Sequence, residues 1–489
     1  MLFSPLEKNI SVEVAIIGGG IAGMSIAYFL SQQGRKVAVI DDGAIGSGES
    51  GRTTAHLTYA LDTRYYELEN LHGRDGARFA AESHIAAIDT IETIVKEENI
   101  SCDFKRVDGY LFRSGEDTEK DPLRKELDVL HRIGKKEVAL QKEAPLPFST
   151  GMCLHFPHQG QFHPLKYLAG LAEAILRKDG KICTETHVKD FDVSVITTDT
   201  NHTVNAYFIV VTTNVPVNDR TRIHTKQAPY RTYVIGARIP KDSIGKSLYW
   251  DTGRTEGGLA KPYHYIRTQP LDETYDLLII GGEDKKTGQN DNSRYERIEA
   301  WARNRFPMIR DIPYRWSGQV VNPIDGIGFI GRNPLDKNIY IATGFSGNGM
   351  THGTVAGILI TDLIVGKRNP WTDLYDPSRK SILAARGYLE ENLNVVKQYT
   401  GWLRKGDIPS FHELTPGQGA IMRRGLSKVA VYRDETGTVH EFSAICPHLG
   451  CIIQWNFQEK TFDCPCHGSR FTSYGKVING PSNTDLNKK

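Results

Sequence analysis

The sequence predicts an α/β body opening on a nucleotide-binding βαβ unit, followed by a helical segment and a small all-β module. Three observations carry this expectation. Near the start, VEVAIIGGGIAGMSIAYFLSQQGRKVAVIDD reads as strand, glycine turn, helix and strand. From about Phe411 the pattern changes to short alternating strands, with a turn at Glu435-Thr436-Gly437. Within that last stretch, CPHLGC (Cys446 to Cys451) and CPCHGSRF (Cys464 to Phe471) gather four of the seven cysteines, each set flanking a histidine.

At about 100–200 residues per domain, the 489 residues allow two to four domains, and 39% hydrophobic content supports a globular core. Net charge is only +2, with no basic stripe interleaved with aromatics, so nucleic acid is not an expected partner. The opening MLFSPLEKNISVE lacks the basic start and apolar run of a signal peptide. No stretch approaches the roughly 20 apolar residues that span a bilayer. The expectation is a soluble, cytoplasmic protein. Cys102, Cys153 and Cys183 are scattered, as suits a reducing compartment, whereas the clustered four suggest a metal or cofactor site.

In the first unit, Val12 to Ile17 is a buried strand, and Gly18, Gly20 and Gly23 fit G-x-G-x-x-G. Ile26, Ala27, Phe29 and Leu30 make one helix face, Gly34 ends the helix, and Lys36 to Ile40 is the second strand. Gly18 permits the tight turn, Gly20 lets backbone approach a pyrophosphate, and Gly23 lets helix and strand pack closely. The first-turn residues Ile21 and Ala22 belong to a helix N-terminus that offers N–H groups to the anion. Asp41, beside Asp42, ends the second strand, where it can accept hydrogen bonds from a ribose. Dinucleotide binding follows.

Further segments narrow the reading. GSGESGRTTAHLT (Gly46 to Thr58), AYFIVVTTNVPVND (Ala206 to Asp219), PIDGIGFIGR (Pro323 to Arg332) and NIYIATGFSGNGMTHGTVAG (Asn338 to Gly357) occur in that order. They resemble segments of the FAD-dependent amine and D-amino-acid oxidase (DAO) family. The resemblance implies FAD rather than NAD as cofactor. It assigns Ser47, Arg52, Thr53, Thr54, His56, Thr212, Gly331, Gly344, Gly347, Asn348, Gly349 and Met350 to the cofactor site, and Val188 to adenine contact through its backbone. Asp325 and Arg332 either face the cofactor or pin their loop. The helix expected over Thr354 to Ile364 would turn its positive end to the flavin's pyrimidine edge and stabilise charge on the reduced ring. TTAH (Thr53 to His56) is similar to the TT-x-H of relatives whose histidine carries FAD covalently, but its spacing to the preceding glycine differs by about one residue. A structural or flavin-facing His56 is the expectation.

The resemblance also implies a layout. Residues 1–370 form the oxidoreductase, with FAD-binding parts at about 11–80, 151–215 and 321–370. The inserts at about 81–150 and 216–320 form a mixed-sheet substrate domain that roofs the flavin. In the second insert Arg231, Tyr263, His264, Tyr265 and Arg267 are candidate pocket residues. An arginine could clamp a carboxylate bidentately, and a tyrosine could orient an amine; residues of each type are more often a packed aromatic or a solvated charge. Removing hydride with a flavin needs no acid–base triad, because the cofactor does the hard chemistry.

Residues 371–410 read as a helical linker. Ile382, Leu389, Leu393, Val396 and Leu403 recur at near-helical spacing, the mark of one amphipathic helix packed on the body, with a membrane-surface helix as the minor alternative.

Residues 411–489 form the last module. Cys446-x-His448 and Cys464-x-x-His467 could hold zinc as Cys2His2. A [2Fe–2S] cluster is the other reading, with the cysteines on one iron and the histidines on the other. Each loop gives one cysteine and one histidine, as split ligation requires, and Cys451 and Cys466 are two further cysteines that zinc would not need. With GSRF and INGPSNTDL after the ligands, the module resembles the Rieske fold. The resemblance implies that Cys446, His448, Cys464 and His467 are the ligands, that Cys451 and Cys466 form a loop-to-loop disulfide, and that the Ser469 hydroxyl bonds to cluster sulfur. Phe471 stands where the respiratory Rieske proteins carry a tyrosine. The expected potential is therefore below theirs, yet above all-cysteine clusters. Gly480-Pro481-Ser482 keeps part of their proline loop.

A two-electron flavin and a one-electron cluster in one chain make an electron splitter. The expected function is oxidation of a small amine or amino acid by FAD, with electrons leaving singly through the cluster to an external acceptor protein. Reverse flow from a donor protein, and a Rieske module that only docks or senses redox state, are the alternatives.

Overall fold

The computed structural model describes residues 1–115, 117, 120–217, 223–256, 259–261, 263–289, 293–380 and 384–489. Asn218 and Asp219 of the Ala206–Asp219 segment, and Ile382 of the linker pattern, lie outside the described residues.

Apolar runs without alternation are strands buried on both faces, and the first unit behaves accordingly. The strand Ile10–Ile17 leads into the helix Ile21–Gln32 and the strand Val37–Ile40, and the residues Val14 to Ile17 and Val37 to Ile40 are buried. Ile10–Ile17 pairs in parallel with Val37–Ile40 on one side and Thr203–Val211 on the other. Lys181–Cys183 extends the sheet beyond Val37–Ile40, Ile339–Thr343 extends it beyond Thr203–Val211, and antiparallel Phe329–Arg332 closes that edge. The helix Gly349–Val365 packs on Ile21–Gln32, where Gly357 lets it approach Ser25 and Phe29. It begins five residues before the expected Thr354, which brings its N-terminus to the ends of the parallel strands.

A nine-stranded mixed sheet lies over this unit, in the order Asp311–Pro323, Gln227–Pro240, Tyr275–Lys286, Tyr265–Pro270, Leu248–Asp251, Lys105–Phe112, Cys153–Gln161 and His56–Leu57, with Ala139–Gln141 beside Cys153–Gln161. Strands of it come from both inserts, and helices pack beside those of the first insert. Its charged helical stretches are Tyr65–Glu97, kinked at Gly73, and Pro122–Arg132.

The C-terminal module is two antiparallel sheets. Gln418–Arg424, Ser427–Arg433 and Val439–Ser443 form one, and Gln454–Asn456, Thr461–Asp463, Arg470–Thr472 and Val477–Asn479 form the other. Its core packs Phe442, Trp455, Phe462 and Phe471 around the four clustered cysteines.

The linker differs from one continuous amphipathic helix. It holds a short turn Thr372–Tyr375, the helix Ala385–Gln398 and a 3-10 turn Tyr399–Trp402. The helix does pack on the body, but through polar side chains. Glu391 meets Lys286 at 2.6 Å and Tyr230 at 3.2 Å, Asn392 donates to the Thr225 carbonyl, and Asn394 accepts from Gln289. Leu389, Leu393, Val396 and Leu403 are exposed. Among the described residues no helix is long and apolar enough to cross a membrane.

Candidate active site and metal centre

The glycine turn, the ends of the parallel strands, the mixed sheet and the C-terminal module together enclose a cavity of about 430 Å³. Gly18 has φ +108°, and a Cβ there would lie 2.7 Å from the Thr212 carbonyl oxygen. Thr212 Oγ1 in turn donates to the Ile17 carbonyl at 2.9 Å, which locks the turn to the neighbouring strand. A Cβ at Gly23 would sit 1.9 Å from Gly18 O, so helix and strand approach too closely for any side chain. Gly23 therefore shapes the turn from behind and is not part of the cavity wall.

Gly18, Gly20, Ile21, Ala22, Asp41, Asp42, Ser47, Arg52, Thr53, Thr54, His56, Val188, Thr212, Gly347, Asn348, Gly349 and Met350 all line the cavity. The Ile21 N–H is already taken by Ser50 Oγ at 2.9 Å. Asp41 accepts from the N–H groups of Gly19 and Gly43 at 2.5 and 2.8 Å, and burial still raises its pKa against those two bonds. A side-chain-free turn, an acid at the second strand end and two helix N-termini fit a dinucleotide, with Asp41 placed for the ribose.

His56 is half-buried against the roof. Its Nε2 lies 3.3 Å from the Ile266 carbonyl, to which only an N–H can donate, so Nδ1 accepts from Thr54 Oγ1 at 3.0 Å. Burial first, then the charge of Arg267, lowers its pKa to about 3 and keeps it neutral. Both ring nitrogens are thus engaged by protein.

Several expected pocket residues lie elsewhere. Arg231 is 2% exposed and faces the C-terminal module, where its Nε is 2.7 Å from Glu459 Oε2. It is an interdomain ion-pair residue, not a carboxylate clamp in the cavity. Arg267 donates to the Thr54 carbonyl and to Gln269 Oε1, and burial pulls its pKa down to about 10; it braces the Thr54–His56 segment from behind. His264 stacks on Trp301, with ring centroids 4.0 Å apart, and bonds Asp251. Gly331 pairs with Ile341, and a Cβ there would meet Pro377 at 2.9 Å, so it backs onto the linker. Gly344 packs against Gln227 and Phe329 outside the wall. Asp325 is ion-paired with Arg379 at 2.8 Å and pins its loop, while Arg332 is exposed at the sheet edge.

Tyr263 and Tyr265 do line the cavity, and the roof also supplies Trp250, Thr232 and Asp284, with Asp62 below. Tyr263 donates its hydroxyl to Asp62, which also accepts from Gly347 N at 2.6 Å. The motifs gave no sign of these two aspartates: Asp62 sits in an unpatterned turn, and Asp284 in GGEDKK reads as a solvated strand end.

At the metal centre, Cys446 and Cys464 are free and buried, and Cys451 is bonded to Cys466. A hydrogen bond between the two free thiols pulls Cys446 below the usual thiol range and pushes Cys464 above it. The His448 and His467 rings lie 5.0 Å apart. Two facing thiols and two facing imidazoles on disulfide-joined loops suit a cluster with split ligation better than a single zinc ion. Ser469 Oγ accepts from Ser482 N at 3.0 Å, and its hydroxyl reaches Cys446. The imidazole end faces the oxidoreductase body, where the His224 ring lies 4.9 Å from that of His448 and 6.1 Å from that of His467. His224 carries no motif; only the tertiary structure brings it there.

The two sites share a wall. Val477, Ile478, Asn479, Gly480, Ser482 and Asn483 of the C-terminal module line the cavity. Gln319, also in the wall, donates to the Gly468 carbonyl at 2.7 Å and accepts from Asn214 at 3.2 Å. Asn479 donates to Glu49 at 3.0 Å, and Asn483 to the Val188 carbonyl at 2.8 Å.

The family model for FAD dependent oxidoreductases (DAO) matches residues 13–363. The chain belongs to the DAO family. The model for the Rieske [2Fe-2S] domain matches residues 407–488. YhfW of Bacillus subtilis, named as a Rieske 2Fe-2S iron–sulfur protein, is 33% identical over 489 aligned residues, which cover 98% of this chain and 94% of that one. Gamma-glutamylputrescine oxidoreductase of Escherichia coli is 27% identical and covers 74% of this chain and 86% of its own. Among solved structures, glycine oxidase from Geobacillus kaustophilus has the same fold over 76% of this chain and 100% of its own, with TM-score 0.64 and 19% identity. This DAO member is thus an FAD-dependent oxidoreductase with a Rieske [2Fe–2S] centre.

Proposed function

We propose that this DAO enzyme oxidises a small amine or amino acid at FAD and releases the electrons singly, through the Rieske cluster, to an external one-electron acceptor protein. The observation that supports this reading is the shared wall. The loop that carries Cys464 and His467 is joined to a residue of the flavin cavity by the Gln319–Gly468 hydrogen bond. When bound, FAD supplies two-electron and the cluster one-electron chemistry. The chain's own part is positional. Arg231, Glu459 and Arg470 hold the module against the body, and Tyr263, Tyr265 and Trp250 shape a pocket over the cofactor.

We assign residues 1–370 to the oxidoreductase, 371–410 to the linker and 411–489 to the Rieske module. The cavity-lining residues above are assigned to FAD, and Cys446, His448, Cys464 and His467 to the cluster. A cytoplasmic location fits the three buried free thiols of the body. The test is replacement of His467 by alanine. Turnover with a two-electron dye that reaches the flavin should persist, while turnover with a one-electron haem protein should fail. Undiminished transfer to the haem protein would reject the relay.

A further inference from the structure

A segment of the Rieske module walls one end of the cavity, the end where the nucleotide is placed. Val477, Ile478, Asn479, Gly480, Ser482 and Asn483 all line the cavity, although they lie outside the oxidoreductase part of the chain. Hydrogen bonds fasten the segment to the body near both of its ends. Asn479 Nδ2 donates to Glu49 Oε1 at 3.0 Å, and Ser50, the next residue, holds the Ile21 N–H of the glycine turn at 2.9 Å. Asn483 Nδ2 donates to the Val188 carbonyl at 2.8 Å, and the Asn483 carbonyl accepts from His187 Nε2 at 3.2 Å. His187 and Val188 are in turn tied to the second strand end, because Thr186 N donates to the Asp41 carbonyl at 2.9 Å. Between these fixings the segment packs on the body at Gly480, where a Cβ would lie 3.5 Å from the Val215 carbonyl oxygen and 3.7 Å from Val217 Cγ1. Val188 and Val217 from the body and Val477 and Ile478 from the module thus bring apolar side chains to the cavity that Asp41 and Asp42 also line.

Resting on the assignment of the cavity to FAD, we propose that residues 477–483 are a binding element for the adenosine half of FAD, so that the cofactor is held between the oxidoreductase and the Rieske module. The chemistry suits a purine. Its flat faces leave water for apolar side chains, while Asp41 takes the ribose hydroxyls on the body side. The segment cannot move off the adenosine without breaking the Asn479 and Asn483 bonds, so FAD leaves only when the module lifts from the body. Whatever binds the docked arrangement alone also stabilises it. FAD and the docked module therefore favour each other, and the coupling is reciprocal. The segment is joined to the cluster loop as well, because Ser482 N donates to Ser469 Oγ at 3.0 Å. One piece of chain thus serves both cofactor sites, and loosening the module loosens the hold on FAD.

The test uses the full chain, stripped of FAD but keeping its cluster, titrated with FAD, ADP and FMN. ADP carries the adenosine half alone, and FMN carries the flavin without it. Asn483→Ala removes a fastening bond and Ile478→Ala trims the wall, while visible circular dichroism of the cluster reports that the module is folded. Each variant should bind FAD and ADP about tenfold more weakly than the wild type, and FMN with less than about a twofold change. Arg231→Ala, whose side chain pairs with Glu459 outside the cavity, should release FAD about tenfold faster because the module lifts more often. FAD and ADP bound by both variants as tightly as by the wild type would overturn the proposal. So would a loss for FMN equal to that for ADP, which is what a general loosening of the cavity gives. Wild-type protein that takes up neither FAD nor ADP would overturn the cofactor assignment and this proposal with it, whereas the two outcomes above leave the assignment standing. No step measures electron transfer, so failure here is separable from failure of the relay.

Discussion

Removing Arg231 should loosen the Rieske module without touching substrate affinity. The side chains of Arg231 and Glu459 are 3% and 15% exposed, and Arg470 sits 2.7 Å from the same carboxylate. Breaking a buried pair from one side costs about 3–5 kcal/mol. In Arg231→Ala, Arg470 still neutralises Glu459, so the lower end applies, about 3 kcal/mol, or roughly a hundredfold in the docking equilibrium. The assay is urea unfolding followed by visible circular dichroism of the cluster, with Glu459→Ala and the double variant completing a cycle. The account predicts a coupling of about 2–3 kcal/mol and slower cluster reduction. An unchanged urea transition together with a raised KM for substrate would refute the reasoning, because it is what a carboxylate clamp would give.

Gly23→Ala should yield protein with little FAD, read from the ratio of flavin to protein absorbance, because the new Cβ would collide with Gly18 O. Acid precipitation should leave FAD in the supernatant, since both His56 nitrogens are held by Thr54 and Ile266; a yellow pellet would contradict this. Acid should also weaken docking through Glu459. Burial works to raise its pKa, but Arg231 and Arg470 outweigh it and hold the carboxyl below its ordinary value. Its contribution is thus present above the unfolded pKa of about 4.3 and is lost as pH falls through the depressed folded value. The urea midpoint read by cluster dichroism should therefore fall in that acid range in the wild type and much less in Glu459→Gln.

What was legible in the sequence is what local chemistry dictates. Gly18 and Gly23 stand where backbone meets backbone, and a Cβ at either would collide with it. Cys446, His448, Cys464 and His467 announce themselves because each loop presents its ligands two or three residues apart. Contacts made across the chain were not legible. Arg231 meets Glu459 228 residues away, and nothing near either residue signals a partner. The helix Ala385–Gln398 shows why an apolar stripe does not name the buried face: Glu391, Asn392 and Asn394 found specific partners on the body, and the leucines were left outside. Gly331 lies where the local strand turns its backbone to Pro377, a contact made across the chain.

The most direct test is an anaerobic single turnover with an amine substrate, following flavin bleaching in the visible and the cluster by electron paramagnetic resonance of samples frozen along the time course. The account predicts that the reduced Rieske signal, averaging below g = 2, grows in after the flavin bleaches and without any added mediator. A flavin that stays fully reduced beside a cluster that never leaves its oxidised state would contradict it.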